Sequence, residues 1–374
     1  MIPLVLCAAL GAQTEPRSSV KVNLPSDSPV TLLSADWGES RTSERGSATI
    51  LNLNTSLSLR NSGNRRIRAF SWMVVSQEVT PGGRASVTKA SMDIGPGEAF
   101  PLRVDLRLLR PMRASGMATG GSAATGPMVE ITLDGILFDD LSFFGPNRLD
   151  SRRSMTAFEL EAQRDRRHFQ QILEARGLEG LQRECLASIA RQGDLPRLNV
   201  TMARHGRATA IDPEREVQFS FLRFPGAPVE PMAGMARVAG NEARSPRVEV
   251  QNRSRREVKY LEIGWILNDG RGREYLVGAV PAKANLAPGA RTEVLQDTAM
   301  RFAEPSGAPV PVGGMTGYVS QVEFADGSVW VPSRAELDDP KLRKAMIPSA
   351  EEQRLTNIYR RKGAQALVDE LKKF

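Results

Sequence analysis

The stretch Leu51-Asn52-Leu53-Asn54-Thr55-Ser56-Leu57-Ser58-Leu59-Arg60-Asn61-Ser62 decides how the chain folds. Leu51, Leu53, Thr55, Leu57 and Leu59 alternate with polar or small residues. That period of two lays one row on each face of a β-strand. A strand with one polar face suits an antiparallel sheet wetted on one side, whereas parallel strands are apolar throughout. Working outward, Leu102, Val104, Leu106 and Leu108 alternate in the same way, as do Val217, Phe219 and Phe221, and then Val248 and Val250. Turn-forming residues separate these runs: Asn61-Ser62-Gly63-Asn64, Pro81-Gly82-Gly83, Pro96-Gly97, Asn268-Asp269-Gly270 and Pro288-Gly289. Strands closely spaced by turns, without intervening helices, predict a β-sandwich.

The pattern also repeats. Leu57 to Ser62 (LSLRNS), followed by Ile67, recurs as Val248 to Arg253 (VEVQNR), followed by Val258. Ile94-Gly95-Pro96-Gly97-Glu98 recurs as Leu286-Ala287-Pro288-Gly289-Ala290. Val129 to Gly135 is matched to Ser320 to Gly327 through their Asp-Gly pairs, Asp134-Gly135 and Asp326-Gly327. Beyond the strands, the spacing of Ile172, Gly177 and Leu181 returns at Ile358, Gly363 and Leu367. Each copy carries a Gly/Pro/Ala-rich insertion, Pro111 to Pro127 and Pro305 to Gly317, read as a loop. Several matches at nearly one offset point to tandem duplication.

The order of features resembles bacterial extracytoplasmic domains of the immunoglobulin-like or fibronectin type III-like class. In such domains a strand ending in Asn turns into a strand bearing a core aromatic, here Trp72 and Trp265. The chain lacks the immunoglobulin cysteine pair and a tyrosine corner. The resemblance implies a sandwich and assigns no functional residue.

Met155 to Arg176 places Phe158, Ala162, Phe169, Ile172 and Leu173 near one helix face, with Gly177 ending the helix before a second one over Leu178 to Arg191. Ala350 to Phe374 reads likewise. Each helical tail is expected to pack on the sandwich beside it. The expected architecture is mainly β: two tandem antiparallel Ig-like β-sandwiches, each followed by a short α-helical segment. Its divisions are a signal peptide (residues 1–11), a flexible N-terminal segment (12–28), sandwich 1 (29–150), helical segment 1 (151–192), a linker (193–212), sandwich 2 (213–337) and helical segment 2 (338–374).

Ile2 to Ala12 (IPLVLCAALGA) resembles the apolar core and cleavage region of a secretory leader, with Ala9 and Gly11 at −3 and −1 of a cut before Ala12. Leu6 stands before Cys7 where a lipid-anchor signal needs a small residue. No other uncharged run is long enough to span a bilayer, so the mature chain is expected to carry no transmembrane segment. A periplasmic or secreted location follows. With the leader removed, Cys185 remains the one cysteine, among Leu181, Leu186 and Ile189, and reads as a small buried hydrophobe.

Among 374 residues, 50 are Lys or Arg against 43 Asp or Glu. Arginine heavily outnumbers lysine, which fits either a polyanion partner or the codon usage of a GC-rich genome. Arg65, Arg66 and Arg68 sit at one turn, and Arg253, Arg255 and Arg256 at the equivalent turn of the second copy. These six are the candidate binding residues, for an anionic polysaccharide or an envelope protein; a solvated turn is the plainer reading. Nucleic acid is not expected, because no stacking aromatics interleave the arginines.

His168 reads as a solvated helix residue and His205 as linker, so standard zinc chemistry and a serine triad both lack ligands or a base. Asp139-Asp140 and Asp338-Asp339 lack the spacing of a calcium loop and read as surface turns. Thr119-Gly120-Gly121-Ser122 lacks the Lys-Ser/Thr of a phosphate loop. No catalytic residue, metal or cofactor is assigned. The leading reading is a non-enzymatic exported envelope protein that binds or has a structural role. The alternatives are a glycan- or peptide-directed hydrolase using a carboxylate pair, and an assembly factor accepting a client strand at a sheet edge.

Overall fold

A computed structural model describes residues 20–46, 48–76, 84–111, 129–193, 196–204, 213–295 and 298–374. The chain is mainly β and divides into two compact units, one running to Met155 and the other from Thr156 to Phe374. The leader, the insertion at 111–127 except Pro111, the Pro81-Gly82-Gly83 turn and His205 lie outside the described residues.

Unit 1 contains β1 (Val20–Asn23), β2 (Val30–Asp36), β3 (Arg41–Arg45), β4 (Ala48–Asn61), β5 (Ile67–Val75), β6 (Arg84–Lys89), β7 (Ala99–Pro111), β8 (Val129–Phe138) and β9 (Phe143–Phe144). One sheet has the order β1-β8-β5-β6, with β9 on β8; the other centres on β4, flanked by β2 and β3 on one edge and β7 on the other. Leu51, Leu53, Leu57 and Leu59 of β4 and Leu102, Val104 and Leu108 of β7 are buried against Phe70, Trp72 and Val74 of β5 and Ile131 and Leu133 of β8. Fully burying each such aliphatic side chain contributes on the order of 1.5–3 kcal/mol. Two expectations change here. Val20–Asn23, placed in a flexible segment, is a strand, and it runs parallel to β8 in an otherwise antiparallel sheet.

Unit 2 contains β10 (Arg197–Arg204), β11 (Arg215–Gln218), β12 (Ser220–Phe221), β13 (Val229–Ala239), β14 (Glu242–Asn252), β15 (Val258–Asn268), β16 (Glu274–Leu286), β17 (Arg291–Val294), β18 (Thr298–Ala303), β19 (Gly314–Phe324) and β20 (Val329–Trp330). They form one continuous sheet, β11-β13-β14-β18-β10-β16-β15-β19-β12, with β17 on β14 and β20 on β19. Trp265 is fully buried at its centre, as Trp72 is in unit 1. Arg197–Arg204, expected to be linker, is a paired strand. It runs antiparallel to β18 from Asn199↔Ala303 to Arg204↔Thr298 and parallel to β16 at Arg197↔Leu276 and Leu198↔Val277. Gly314 to Gly317, read as a glycine-rich loop, opens β19 and pairs with β15. Gly317 is there for close packing: a Cβ at that position would lie 3.0 Å from the rings of both Phe221 and Trp265.

In chain order β9 is followed by α1 (Ser151–Arg191), broken at Gly177, whose φ of 62° and ψ of −164° only glycine adopts cheaply. Unit 2 ends in α2 (Pro340–Ala345) and α3 (Ala350–Leu371), and α3 breaks in the same way at Gly363 (φ 84°, ψ 178°). The first tail does not stay with the β unit that it follows in the chain. From Thr156 onward it belongs to unit 2, where Phe169, Leu181 and Cys185 form a core with Leu355, Leu367, Val368 and Leu371. The two tails pair through these apolar residues, with Leu173, Ile358 and Tyr359 packed at the margin.

Cys185 has no exposed surface. Burial, reinforced by Glu184 and Glu352 nearby, pushes its thiol up to about 12. The native protein should therefore resist alkylation at neutral pH and label fully only in denaturant, as intact-mass spectrometry would show. Rapid native labelling would place Cys185 outside this core.

Candidate functional site

The structure gives nearly every charge in the predicted basic corners an internal partner. Arg65 stacks its guanidinium 3.9 Å over the Phe138 ring, donates to Ser142 Oγ and pairs with Asp140 at 3.7 Å. Arg256 does the same over Phe324 at 3.8 Å, with Ser328 and Asp326. Arg66 and Arg68 converge on Asp93 at 2.7 and 2.6 Å, and Arg253 pairs with Glu230 at 2.6 Å. Of the six, only Arg255 has no ion pair among the described residues. These arginines brace turns.

Each corner is built on a buried asparagine. Asn61 Nδ2 donates to the carbonyls of Arg65 (2.8 Å), Ile94 (3.2 Å) and Gly95 (3.1 Å). Asn252 Nδ2 donates to those of Arg256 (2.7 Å), Leu286 (3.0 Å) and Ala287 (3.2 Å). The matching environments of Asp140 and Asp326 correct the sequence match at the Asp-Gly pairs. Asp326 occupies the place of Asp140, 186 residues earlier, in a turn with the serine two residues on. Asp134 is instead fully buried and accepts from Arg148 N (2.7 Å), Leu149 N (3.3 Å) and Ser151 Oγ (2.8 Å), tying down the entry to α1. Asp339, the other acidic pair's second member, caps α2 through Lys341 N at 2.8 Å.

The groups best placed to meet a ligand were not singled out in the sequence. In unit 2 a cavity of about 380 Å³ lies between α1, the face of β15, β16 and β19, and the connection from α2 into α3. Ala157, Phe158, Ala279, Met346, Ile347 and Pro348 supply apolar walls; Glu161 and Glu262 supply carboxylates. Phe158, expected on the buried helix face, is 43% exposed at this cavity. Glu262 accepts from Tyr260 OH at 2.7 Å. Tyr318 OH is spent on the Ala345 carbonyl at 2.7 Å, and burial raises its pKa above the usual phenol range. Glu161 makes no hydrogen bond or ion pair among the described residues.

Burial is the main reason that the Glu161 carboxyl is pushed up to about 7; Arg164 opposes it, while Asp165 and Glu262 add to it. Because the folded-state value lies above the ordinary 4.5, the stability this group contributes is complete below pH 4.5 and is lost as pH rises through about 7. Glu161→Gln should flatten that slope. Carboxyl-carbon NMR should show Glu161 titrating near 7, and a midpoint at the ordinary glutamate value would remove it from this environment.

His168, expected to be solvated, meets Glu184 Oε1 at 3.1 Å and lines a second, more open groove with Trp330 and Arg334. Burial raises the Glu184 pKa, but His168, Arg334 and Arg191 outweigh it and hold the carboxylate below its usual range. Among the described residues, no three His, Cys, Asp or Glu side chains are grouped to hold a metal, and no helix is long and apolar enough to cross a membrane.

No family model and no curated protein matches the chain. Among solved structures, red sea bream transglutaminase aligns over 78% of this chain at 10% identity, with a TM-score of 0.13. The aligned part spans 31% of that protein's chain.

Proposed function

We propose that this chain is an exported bacterial envelope protein built from a duplicated Ig-like β-scaffold, and that it binds a partner rather than transforming one. Duplication is supported by the twin asparagine corners, the twin buried tryptophans, and the arginine-over-phenylalanine contacts that stand 191 residues apart at the arginine and 186 at the ring. The last offset is also that of Gly177 and Gly363. The apolar leader supports export. The single observation that carries binding is Glu161, an unpartnered carboxyl on an apolar-walled cavity. Such a pocket suits a ligand with an apolar body and an ammonium or guanidinium head, since a carboxylate held at low dielectric attracts a cation strongly.

The probe is hexylammonium, followed by NMR shifts of cavity residues, with hexanol as the neutral control. Hexylammonium affinity should rise about tenfold as pH passes through 7 and Glu161 ionises, while hexanol affinity stays flat. Glu161→Gln should abolish the rise. Equal pH dependence for both probes, or no shifts at the cavity, would overturn this reading.

Glu161 and Glu262 on one cavity also favour a second reading, hydrolysis with Glu161 as acid and Glu262 as base. Turnover of a chromogenic glycoside or peptide that vanishes in both Glu161→Gln and Glu262→Gln would select it over simple binding.

A further inference from the structure

The two units share part of their strand plan, and they differ at one place beside it. In unit 2, β17 and β18 run along β14 as β7 runs along β4, and β16 flanks β15 as β6 flanks β5. Strand β10 then bridges β18 and β16, with Leu198 buried and Val200 packed on the core. In unit 1 no strand bridges β7 and β6 among the described residues, so both end their sheets.

Side chains follow this difference. The core-facing Val280, Ala282 and Ala284 of β16 are buried, whereas Ala85 and Val87 of β6 are only half-buried, as is Leu106 of β7. Leu109, at the far end of β7, is 40% exposed. Among the exposed residues, Arg84 and Lys89 on β6 and Arg103 and Arg107 on β7 carry positive charge, with Asp105 the single acid among them. Neither Arg103 nor Arg107 has an ion pair among the described residues. Charge on an edge deters indiscriminate pairing; charge of one sign also selects what can pair.

We propose that the gap between β6 and β7 accepts an extended strand of a partner protein, antiparallel to β7, with apolar residues inward and carboxylates outward. Strand β10 shows what shape fills such a gap: RLNVTMAR, with Leu198 and Val200 inward and Asn199 and Thr201 outward. Backbone bonds to the β7 edge supply affinity, the half-buried Val87 and Leu106 receive the inward side chains, and Arg103 and Arg107 meet the outward acids. This inference is independent of the cavity reading.

The test uses the full chain and two fluorescent peptides: residues 197–204, and the same peptide with Asn199→Glu and Thr201→Glu. Fluorescence anisotropy should show the acidic peptide binding at least tenfold more tightly. The exposed double variant Arg103→Glu/Arg107→Glu should lose that preference, and Arg103→Gln/Arg107→Gln should fall between. N-methylation of alternate peptide residues, which removes ladder hydrogen bonds without changing side chains, should abolish binding. Amides of residues 102–109 should exchange more slowly in the complex. Three results would overturn the proposal: no preference for the acidic peptide, binding that survives N-methylation, or β7 amides as slow in the free protein as those of β18. The last would mean that a strand of this chain already lies there.

Discussion

Replacing Asp165 with alanine is expected to destabilise unit 2 by about 3–5 kcal/mol, the cost of breaking a buried ion network at one member. Asp165 has no exposed surface and is held on several sides. Arg164 grips it with two bonds of 2.8 and 3.0 Å, Ser349 Oγ donates at 2.6 Å, and Arg334 approaches to 3.6 Å. Ser349 is also the N-cap of α3, accepting from Glu352 N at 3.0 Å, so the same carboxylate steadies a helix start. Around it, Arg166 lies between Glu159 (2.6 Å) and Glu351 (3.4 Å), and Ser188 donates to Glu352 at 2.6 Å. Removing Asp165 leaves Arg164, largely enclosed, without its paired carboxylate, bonded to the Pro332 carbonyl and within reach of only the longer-range charges of Glu161 and Glu352. Urea denaturation followed at Trp265 should register the loss as a lower midpoint. A cost under about 1 kcal/mol would mean that water reaches the network and repairs the charge. A cycle of Asp165→Ala with Ser349→Ala should then show coupling, because both residues share one bond.

How much of this was legible in the sequence depends on the range of the interaction. Period two at Leu51 to Leu59 and Leu102 to Leu108 announced β4 and β7, since alternation is a property of the strand itself. Trp72 and Trp265 were readable as core, and Gly177 as a helix break, for equally local reasons. Strand β10 carried a faint version of the same signal, with Leu198, Val200 and Met202 alternating, but basic and loop-forming neighbours masked it. Its partners, β16 and β18, lie some 75 to 105 residues further on, and no local pattern names them. The insertion loops misled because glycine serves looseness and close packing alike, and Gly317 serves the second. The pairing of the tails was hidden because an amphipathic helix specifies an apolar face and not its occupant. Glu161 was invisible for the strongest reason: in a helix crowded with charge, only its distant neighbours make it different.

Replacing Asn61 with alanine should destabilise unit 1 by about 3–5 kcal/mol and leave unit 2 unmoved. The asparagine is fully buried, and its amide nitrogen is the shared donor for three carbonyls at once. Its oxygen accepts from Gly63 N at 3.1 Å, and its own backbone closes the Pro96-Gly97 turn through Gly97 N at 2.7 Å. Alanine keeps the backbone bonds and strands the side-chain partners, at roughly 1–3 kcal/mol for each buried group that water cannot reach. Aspartate is the sharper replacement, because it has the same shape but turns a donor into an acceptor facing three carbonyls. Its carboxyl can satisfy them only when protonated, so its folded-state pKa must lie above the unfolded value. For a raised value the contribution is complete at low pH and lost as pH rises, so Asn61→Asp should be most stable in acid and weaken towards neutrality. Asn252 stands in the same relation to Arg256, Leu286 and Ala287, which makes it the internal control. Hydrogen exchange should therefore show Asn61→Ala accelerating β4 and β5 alone, and Asn252→Ala accelerating β14 and β15 alone. If either variant loosens both sets, the two corners do not act as separate locks on separate units.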